Sequence, residues 1–321
     1  MDVAVVWRCM GSPCMSKEAF IEVNFRQQSL EMLALCNEII DLYMAQGLRL
    51  TLRQLYYQLV TRNTVTNTGR SYKNLGKLVS QGRLAGELDW EAFEDRLRMP
   101  HQVAEWRSPA DIMNAVIQSY TLPRWEPQPA YVELWCEKDA LAGVLLPITQ
   151  QYHVTLMVDR GYSSQSAMKK AAERLTNAFL DGKKSITILY IGDQDPSGED
   201  MVRDVGDRLT LLTRGEFDIE VVKLAITEDQ VAQYNPPPNP TKLSDSRAEA
   251  YIAKFGDSSY EADALPPDGL AAVVREAIEA QIDPDLWQQV IDAEEADKEL
   301  LEQARDEVMR LRDEAEDNDQ E

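Results

Sequence analysis

The sequence ITILYIGDQDPSG, from Ile186 to Gly198, decides the fold that we expect for this chain. It begins with a short, β-branched apolar run, which is typical of a strand buried on both faces of a parallel sheet. The run stops at Gly192, and Asp193 and Asp195 follow before a turn-forming Pro-Ser-Gly. Ligands of α/β proteins bind beyond the carboxyl ends of such strands. Two carboxylates there favour a divalent cation such as Mg²⁺, although an ordinary capped turn has the same composition.

Strands and helices alternate on both sides of this central strand. The predicted elements are strands at 131–136, 153–158 and 219–224 and helices at 139–150, 164–180 and 199–212. Such alternation is typical of a parallel sheet with helices on both faces. The first strand is followed by Glu137, which would reach the edge that carries Asp193 and Asp195 if the two strands are neighbours. Three carboxylates at one sheet edge would form a Mg²⁺ site for phosphate chemistry.

The first part of the chain is predicted to be helical. Helical spacing runs from Ser29 to Gln46, and Thr51 can cap a second helix, TLRQLYYQLV. A third helix, from Tyr72 to Gly86, carries several basic residues. Three short helices, of which the third is basic, indicate a helix-turn-helix or winged-helix DNA-binding domain.

Two adjacent tyrosines on the second helix are predicted to differ in exposure. At 100° per residue, Tyr56 falls on the apolar face with the leucines. Tyr57 and Arg53 are four residues apart and project beside that face, toward each other. We therefore expect Tyr56 to be a core residue and Tyr57 to be exposed at the helix surface, with the guanidinium of Arg53 near its hydroxyl.

The charge distribution divides the chain into two parts. The net charge of −22 would by itself argue against nucleic acid as a partner. Residues 1–130 are nevertheless balanced, with 14 basic and 14 acidic residues, and residues 42–86 contain seven basic residues and no acidic one. This composition indicates a phosphate-facing surface, although a chance cluster on a solvated face is the plainer alternative. The residues that we expect to contact DNA are Arg62, Arg70, Lys73, Lys77 and Arg83.

Composition and spacing give a domain outline. No apolar run is long enough to span a membrane. The four cysteines follow no zinc-binding spacing, which favours a reduced, cytoplasmic protein. The predicted parts are a partly disordered leader at 1–28, a winged-helix-like domain at 29–106, a linker at 107–129, a parallel-sheet domain with a C-terminal extension at 130–283 and an acidic helical or disordered tail at 284–321.

The order of these motifs resembles a known family. A glutamate after a first strand (VELWCEKDAL) and an Asp-x-Asp after a later one (GDQDPSG) resemble the Toprim domain of topoisomerases, primases and some nucleases. The preceding helix RQLYY and the later RGYSSQS make the order similar to that of the A subunit of topoisomerase VI, a type IIB topoisomerase, and of its meiotic double-strand-break relative. DALPPDGLAAVVREAIEAQID resembles the closing segment of that family, so that the resemblance covers about residues 48–283.

The resemblance implies a role for individual residues. Tyr57 corresponds to the nucleophile of the family and Arg53 to the arginine before it. The residues that correspond to its metal ligands are Glu137, Asp193 and Asp195. The chain departs from the family at Gln54, where an aspartate is usual, and RGYSSQS replaces a Gly-Tyr-Pro-Asp pattern. Arg160, in that segment, is expected to be a further DNA contact.

The resemblance also implies a cofactor and partners. Mg²⁺ would be the cofactor, and the substrate would be double-stranded DNA bound by a homodimer, in which the tyrosine of one subunit meets the metal of the other. Strand passage would need a separate ATPase subunit of the GHKL type, because no ATPase module is recognised in the sequence. We expect such a protein to be cytoplasmic and associated with the nucleoid.

Three other hypotheses stay open from the sequence. The Toprim carboxylates could activate water, which would make the protein a metal-dependent nuclease with a structural Tyr57. The protein could instead bind DNA without cleaving it, through a degenerate site. An Asp-x-Asp after a strand also occurs in haloacid-dehalogenase phosphatases, but Pro196 stands where those enzymes carry a threonine or valine.

Overall fold

The computed structural model describes residues 17–90, 92–93, 103–158 and 164–318. The described helices are α1 (Gln27–Met44), α2 (Leu52–Thr61), α3 (Gly69–Leu84), α4 (Pro109–Ser119), α5 (Ala142–Gln151), α6 (Gln165–Leu180), α7 (Pro196–Leu212), α8 (Glu228–Tyr234), α9 (Ala248–Phe255), α10 (Pro267–Glu279) and α11 (Pro284–Asn318). The described strands are β1 (Ala130–Cys136), β2 (Thr155–Val158), β3 (Ser185–Ile191), β4 (Glu220–Ala225), β5 (Asn239–Pro240) and β6 (Ser258–Ser259). Short 3₁₀ turns lie at Asp139–Leu141 and Ala262–Ala264.

Four parallel strands form the central sheet, in the order β2-β1-β3-β4. The α/β class predicted from the alternating pattern is therefore confirmed. Because β1 and β3 are neighbours, Cys136 pairs with Ile191 and the two strands end at the same level. The residues after these two strands thus share one edge of the sheet, as the sequence predicted.

One hydrophobic core lies between the sheet and helices α6 and α7. Ile186, Ile188 and Tyr190 alternate along β3 and are buried with Leu175 of α6 and Leu209 of α7. Helix α10 packs on α5 and on β4. Strand β3 is thus buried between its neighbouring strands and the helices that cover the sheet.

Helices α1, α2 and α3 pack against one another at the start of the chain. The predicted cap of α2 is present, because Thr51 and Gln54 form a reciprocal capping box. Within residues 17–90 and 92–93, which the structure describes, the β contacts are two isolated bridges, Ala19 with Ala85 and Leu50 with Phe93, and no hairpin that could serve as a wing is seen.

The chain divides into two compact units at places that differ from the predicted boundaries. One unit contains residues 13–97 together with 130–281, because α2 packs against the Ala262–Ala264 turn. The predicted helical domain and sheet domain therefore share a unit. The other unit contains residues 98–129 and 282–321, of which the described part includes α4 and α11.

The unit formed by α4 and α11 has a polar interior contact of its own. Glu294 is 4 % exposed, and its carboxylate accepts hydrogen bonds from the backbone N–H of Leu122 and from Lys298 and pairs with Arg124 at 2.9 Å. Residues 107–129, predicted to be an irregular linker, thus contain a helix and hold the start of α11. The predicted helical character of the tail agrees with α11.

Among the residues that the structure describes, no helix combines the length and the apolar character needed to cross a membrane.

Candidate functional site

The loops after β1 and β3 meet at the sheet edge. The backbone N–H of Glu137 donates to the carbonyl of Ile191, and the Glu137 carboxylate accepts a hydrogen bond from the backbone N–H of Asp193 at 2.8 Å. Gly192 lies under this side chain: a Cβ there would stand 3.2 Å from Oε2 of Glu137 and 2.8 Å from the Tyr190 ring. A glycine at this position therefore leaves room for the glutamate to fold over the edge.

The second carboxylate oxygen of Glu137 is buried and has no hydrogen-bond partner among the residues that the structure describes. Burial and the neighbouring charge of Asp193 raise the pKa of Glu137 to about 7. Burial also raises the pKa of Asp193, against the opposing effect of the Lys138 ammonium. An orphaned carboxylate oxygen beside a second acidic group is an arrangement that a cation or a proton would satisfy.

The third predicted carboxylate has a structural contact. Asp195 is the N-cap of α7, and its Oδ1 accepts hydrogen bonds from the backbone N–H of Gly198 and from the Ser197 hydroxyl, each at 2.7 Å. Across the described residues, no group of three or more histidine, cysteine or acidic side chains is arranged to hold a metal ion. Glu137 and Asp193 are thus the pair that the structure offers at this edge.

Lys138 brings a positive charge into this acidic edge. Its ammonium lies 2.8 Å from Asp193 Oδ1, 2.6 Å from Glu261 Oε2 and 3.1 Å from Asp263 Oδ1. Burial by itself would lower the pKa of Lys138, but the three carboxylates outweigh it and raise the pKa above the ordinary lysine value. The ammonium group of Lys138 therefore stays protonated at neutral pH and is a positive charge within the acidic cluster.

Arg53 connects this cluster to α2. Its Nε pairs with Asp263 Oδ2 at 2.8 Å, its Nη2 donates to the Tyr57 hydroxyl at 3.2 Å, and Nη2 also pairs with Glu261. The predicted approach of Arg53 to Tyr57 is therefore confirmed.

The predicted exposure of Tyr57 is wrong. The side chain is as well buried as its neighbour, with 5 % of Tyr57 and 4 % of Tyr56 exposed. Helical spacing placed Tyr57 beside the apolar face, but that side of α2 packs on the Ala262–Ala264 turn. A contact between segments some 200 residues apart thus covers a ring that the helix alone would present.

The surroundings of Tyr57 favour the neutral phenol. Burial, followed by the charges of Asp263 and Glu261, raises the pKa of Tyr57 to about 12, against the opposing effect of Arg53. At pH 7 the hydroxyl is consequently protonated and can donate a hydrogen bond while it accepts one from Arg53.

The structure brings four of the predicted residues into one contact network. These are Arg53, Tyr57, Glu137 and Asp193. Three members were not predicted, namely Lys138, Glu261 and Asp263. Sequence offered two weak signals for them: Lys138 follows Glu137 directly, and Asp263 begins the DALPP segment.

The predicted DNA-contacting residues fall into three groups. Arg70, Lys73 and Lys77 are exposed on one face of α3 and line an open depression of about 850 Å³. Arg62 is exposed at the end of α2, outside that depression. The other residues that line the depression are Gly69, Asn74, Gly76, Ser80 and Gln81.

Arg83, also predicted to contact DNA, does not add to the basic face. The guanidinium of Arg83 lies 4.5 Å from the centre of the Trp90 ring and donates to the Trp90 carbonyl at 3.0 Å, so that it packs within the helical region. Arg160 lies outside the described residues.

Comparisons with protein-family models, with curated proteins and with solved structures found no match to this chain. The function is therefore inferred from the geometry of the site.

Proposed function

We propose that the protein cleaves a phosphodiester bond of duplex DNA with Tyr57 as the nucleophile, as a Toprim protein resembling the A subunit of type IIB topoisomerases. One observation carries the proposal. An unbroken series of contacts runs from the Tyr57 hydroxyl through Arg53, Asp263 and Lys138 to Asp193 at the sheet edge. A nucleophile, two cations and a pair of carboxylates are thus held in one place, which is what phosphoryl transfer requires.

The side chains have complementary tasks in this reaction. The phenol of Tyr57 loses its proton and its oxygen forms a bond to phosphorus, while the bond to the 3′ oxygen breaks and that oxygen takes up a proton. The protein is then joined to the 5′ phosphate. Arg53 stabilises both the phenolate and the charge that develops on the phosphate.

Mg²⁺ is the cofactor that we propose, held by Glu137 and Asp193. Mg²⁺ commonly takes one or two protein carboxylates and completes its shell with water and substrate phosphate, so that a two-carboxylate site is sufficient. The buried oxygen of Glu137, which has no partner within the described part of the chain, supports this assignment. The ion would supply Lewis-acid stabilisation of the phosphate and the leaving oxygen.

Duplex DNA is the proposed partner because of the basic face on α3. The charges of Arg70, Lys73 and Lys77 suit the phosphate backbone, which such residues contact without reading sequence. A homodimer, a separate GHKL-type ATPase subunit and nucleoid association follow from the family resemblance and stay predictions. The contacts that join Tyr57 to Asp193 lie within one chain, so that the proposal differs from the family in not needing the metal site of a second subunit.

A plasmid cleavage assay tests the nucleophile. We expect the wild-type protein with Mg²⁺ to convert supercoiled plasmid to nicked or linear DNA that stays covalently bound to protein until protease is added. Tyr57→Phe should abolish the adduct and reduce cleavage by at least about 10³-fold, because the nucleophilic oxygen is gone. Tyr56→Phe is the matched control, since it removes one hydroxyl from the same helix at a position with no contact to Arg53 among the described hydrogen bonds. An adduct that persists in Tyr57→Phe would contradict the proposal.

A nuclease that activates water is the second candidate, and the electrostatics of the site favour it on one point. The pKa of Glu137, raised to about 7 by burial and by Asp193, is suited to a general base near neutral pH, whereas Tyr57 is protonated there. In that case Tyr57→Phe would still cut DNA and leave protein-free ends. Glu137→Gln should abolish cleavage under either proposal, because Glu137 is also a proposed Mg²⁺ ligand, so that Tyr57→Phe is the variant that separates the two.

A further inference from the structure

Glu261 occupies the space between two cations that come from different parts of the fold. Its Oε2 pairs with the guanidinium of Arg53 on α2 and with the ammonium of Lys138 after β1. A weak contact of 3.5 Å joins its other oxygen to Asn239. One anionic oxygen thus faces two positive groups, next to the Tyr57 hydroxyl, in the manner of a phosphate oxygen in an arginine–lysine site.

We propose that Arg53 and Lys138 form a phosphate-binding site, and that the Glu261 carboxylate fills this site until a phosphate group of the nucleic acid displaces it. The ligand class is a phosphodiester or an inorganic phosphate. The inference rests on the proposed function in one respect only, namely that the phosphate bound there is the one beside Tyr57.

Burial distinguishes Glu261 from the other acidic partner of the two cations. The Asp263 side chain is 1 % exposed and bridges Arg53 and Lys138 from within the fold, whereas the Glu261 side chain is 27 % exposed. The Arg53 side chain is 44 % exposed, so that the site opens to solvent on the side where Glu261 lies. Asp263 is therefore the fixed counter-ion, and Glu261 is the one that an incoming anion can replace.

The backbone around Glu261 allows the exchange without unfolding. Tyr260 forms a two-way backbone bridge with Gln194, and the N–H of Ala262 donates to Asp193 Oδ1 at 2.8 Å. With both neighbours anchored, Glu261 leaves the site by a change of side-chain rotamer. Burial opposes ionisation of Glu261, but Lys138 and Arg53 hold its pKa below the ordinary value, so that the carboxylate remains a charged competitor at neutral pH.

Binding measurements on the full chain in metal-free buffer with EDTA test the site without cleavage. The probe is a fluorescein-labelled duplex of about 20 base pairs followed by anisotropy. Because Glu261→Gln removes the internal competitor and leaves the two cations, we expect this variant to bind the duplex about tenfold more tightly than wild type. The control Glu249→Gln makes the same charge change at an exposed position of α9, and it should bind as wild type does.

Two double variants decide whether the gain arises at this site. Lys138→Gln or Arg53→Gln in the Glu261→Gln background should return the affinity to the wild-type level or below. Arg53 is the more exposed side chain, so that its variant decides the matter if the Lys138 variant fails to fold. A gain that survives both changes, or a Glu261→Gln protein that binds no more tightly than Glu249→Gln, would overturn the inference.

Inorganic phosphate provides a second readout at constant ionic strength. It should raise the melting temperature of Glu261→Gln more than that of Glu249→Gln, because a ligand that binds the folded state stabilises it. An equal rise in both variants would count against the site. A protein that binds phosphate in this way but never forms an adduct overturns the proposed tyrosine chemistry alone, and a cleaving protein with no gain in Glu261→Gln overturns this inference alone.

Discussion

Tyr57 is held between groups that act on its hydroxyl in opposite directions. Arg53 favours the phenolate, whereas burial, Asp263 and Glu261 favour the phenol, and the balance raises the pKa of Tyr57 to about 12. In the free protein Tyr57 is thus in the protonated form, which is not the nucleophile of the proposed attack. Removal of the Glu261 charge from this site by an incoming phosphate would place the group to be attacked beside the hydroxyl at the same moment.

Burial has a testable effect on thiol chemistry at Cys36. This residue is fully buried in α1, and burial raises the pKa of its thiol to about 12. The thiolate is the reactive form, so that the folded protein at pH 8 should present only about 10⁻⁴ of this thiol as thiolate. We expect iodoacetamide to leave Cys36 unlabelled at pH 8 in the folded protein, as measured by peptide mass spectrometry.

The pH dependence of labelling shows whether the pKa of Cys36 is raised in the folded protein. In denaturant the labelling rate should rise up to about pH 9 and then level off, as for an ordinary thiol. In the folded protein it should stay low and keep rising beyond that pH, because the pKa is displaced upward. Rapid labelling of folded Cys36 at pH 8 would show that the thiol is not buried as described.

Individual site residues differ in how far sequence could identify them. Glu137 and Asp193 were predictable because they follow neighbouring parallel strands, and Arg53 with Tyr57 because a helix brings residues four apart together. Glu261 and Lys138, by contrast, are 123 positions apart and meet through tertiary packing. No local period encodes such a contact, which is why Lys138 and the two acidic partners, Glu261 and Asp263, were missed.

At the scale of the elements, the start of α7 depends on a glycine. A Cβ at Gly198 would stand 2.2 Å from the backbone oxygen of Asp193, which is closer than any real contact. Gly198→Ala must therefore push apart the cap of α7 and the loop that carries Asp193. We expect the free energy of unfolding to fall by about 2–3 kcal/mol, measured by urea denaturation.

Gly206 provides the matched control in the same helix. A Cβ there would meet only a methyl of Val221, at 3.8 Å, which is an ordinary contact. Gly206→Ala should therefore increase stability by about 0.5–1 kcal/mol, from helix propensity. If both alanine variants changed stability in the same direction, the close approach of Asp193 to Gly198 would not be the cause.

Helix and strand limits show where local signals were strong and where they were misinterpreted. The strands of the sheet were predicted because short β-branched runs that lie between turns seldom form anything other than strands. Helix α4 was missed although Ser108 caps it and Pro109 stands in its first turn, since a proline-bearing stretch was interpreted as irregular. Proline at that position favours a helix start, so that the signal was present in the sequence.

At the scale of the whole molecule, an acidic protein carries a compact basic face. The net charge is −22, yet Arg70, Lys73 and Lys77 lie together on α3. A DNA phosphate that approaches this face meets no acidic side chain from residues 42–86, because that stretch contains none. The sequence could locate this face because residues three and four positions apart, such as Arg70, Lys73 and Lys77, lie on the same side of a helix. It could not locate the division into units, which depends on contacts between α2 and residues some 200 positions away.

The basic face can be tested by the salt dependence of DNA binding. Lys73→Gln combined with Lys77→Gln should weaken duplex binding and reduce the slope of log K against log salt by about 2, one for each phosphate that the variant no longer neutralises. The control is Lys169→Gln with Lys170→Gln, which removes two exposed charges from α6 and changes the net charge equally. Because long-range repulsion shifts equally in both double variants, only direct phosphate binding by α3 would lower the slope in one of them. Equal slopes would mean that net charge, and not the face on α3, governs the interaction with DNA.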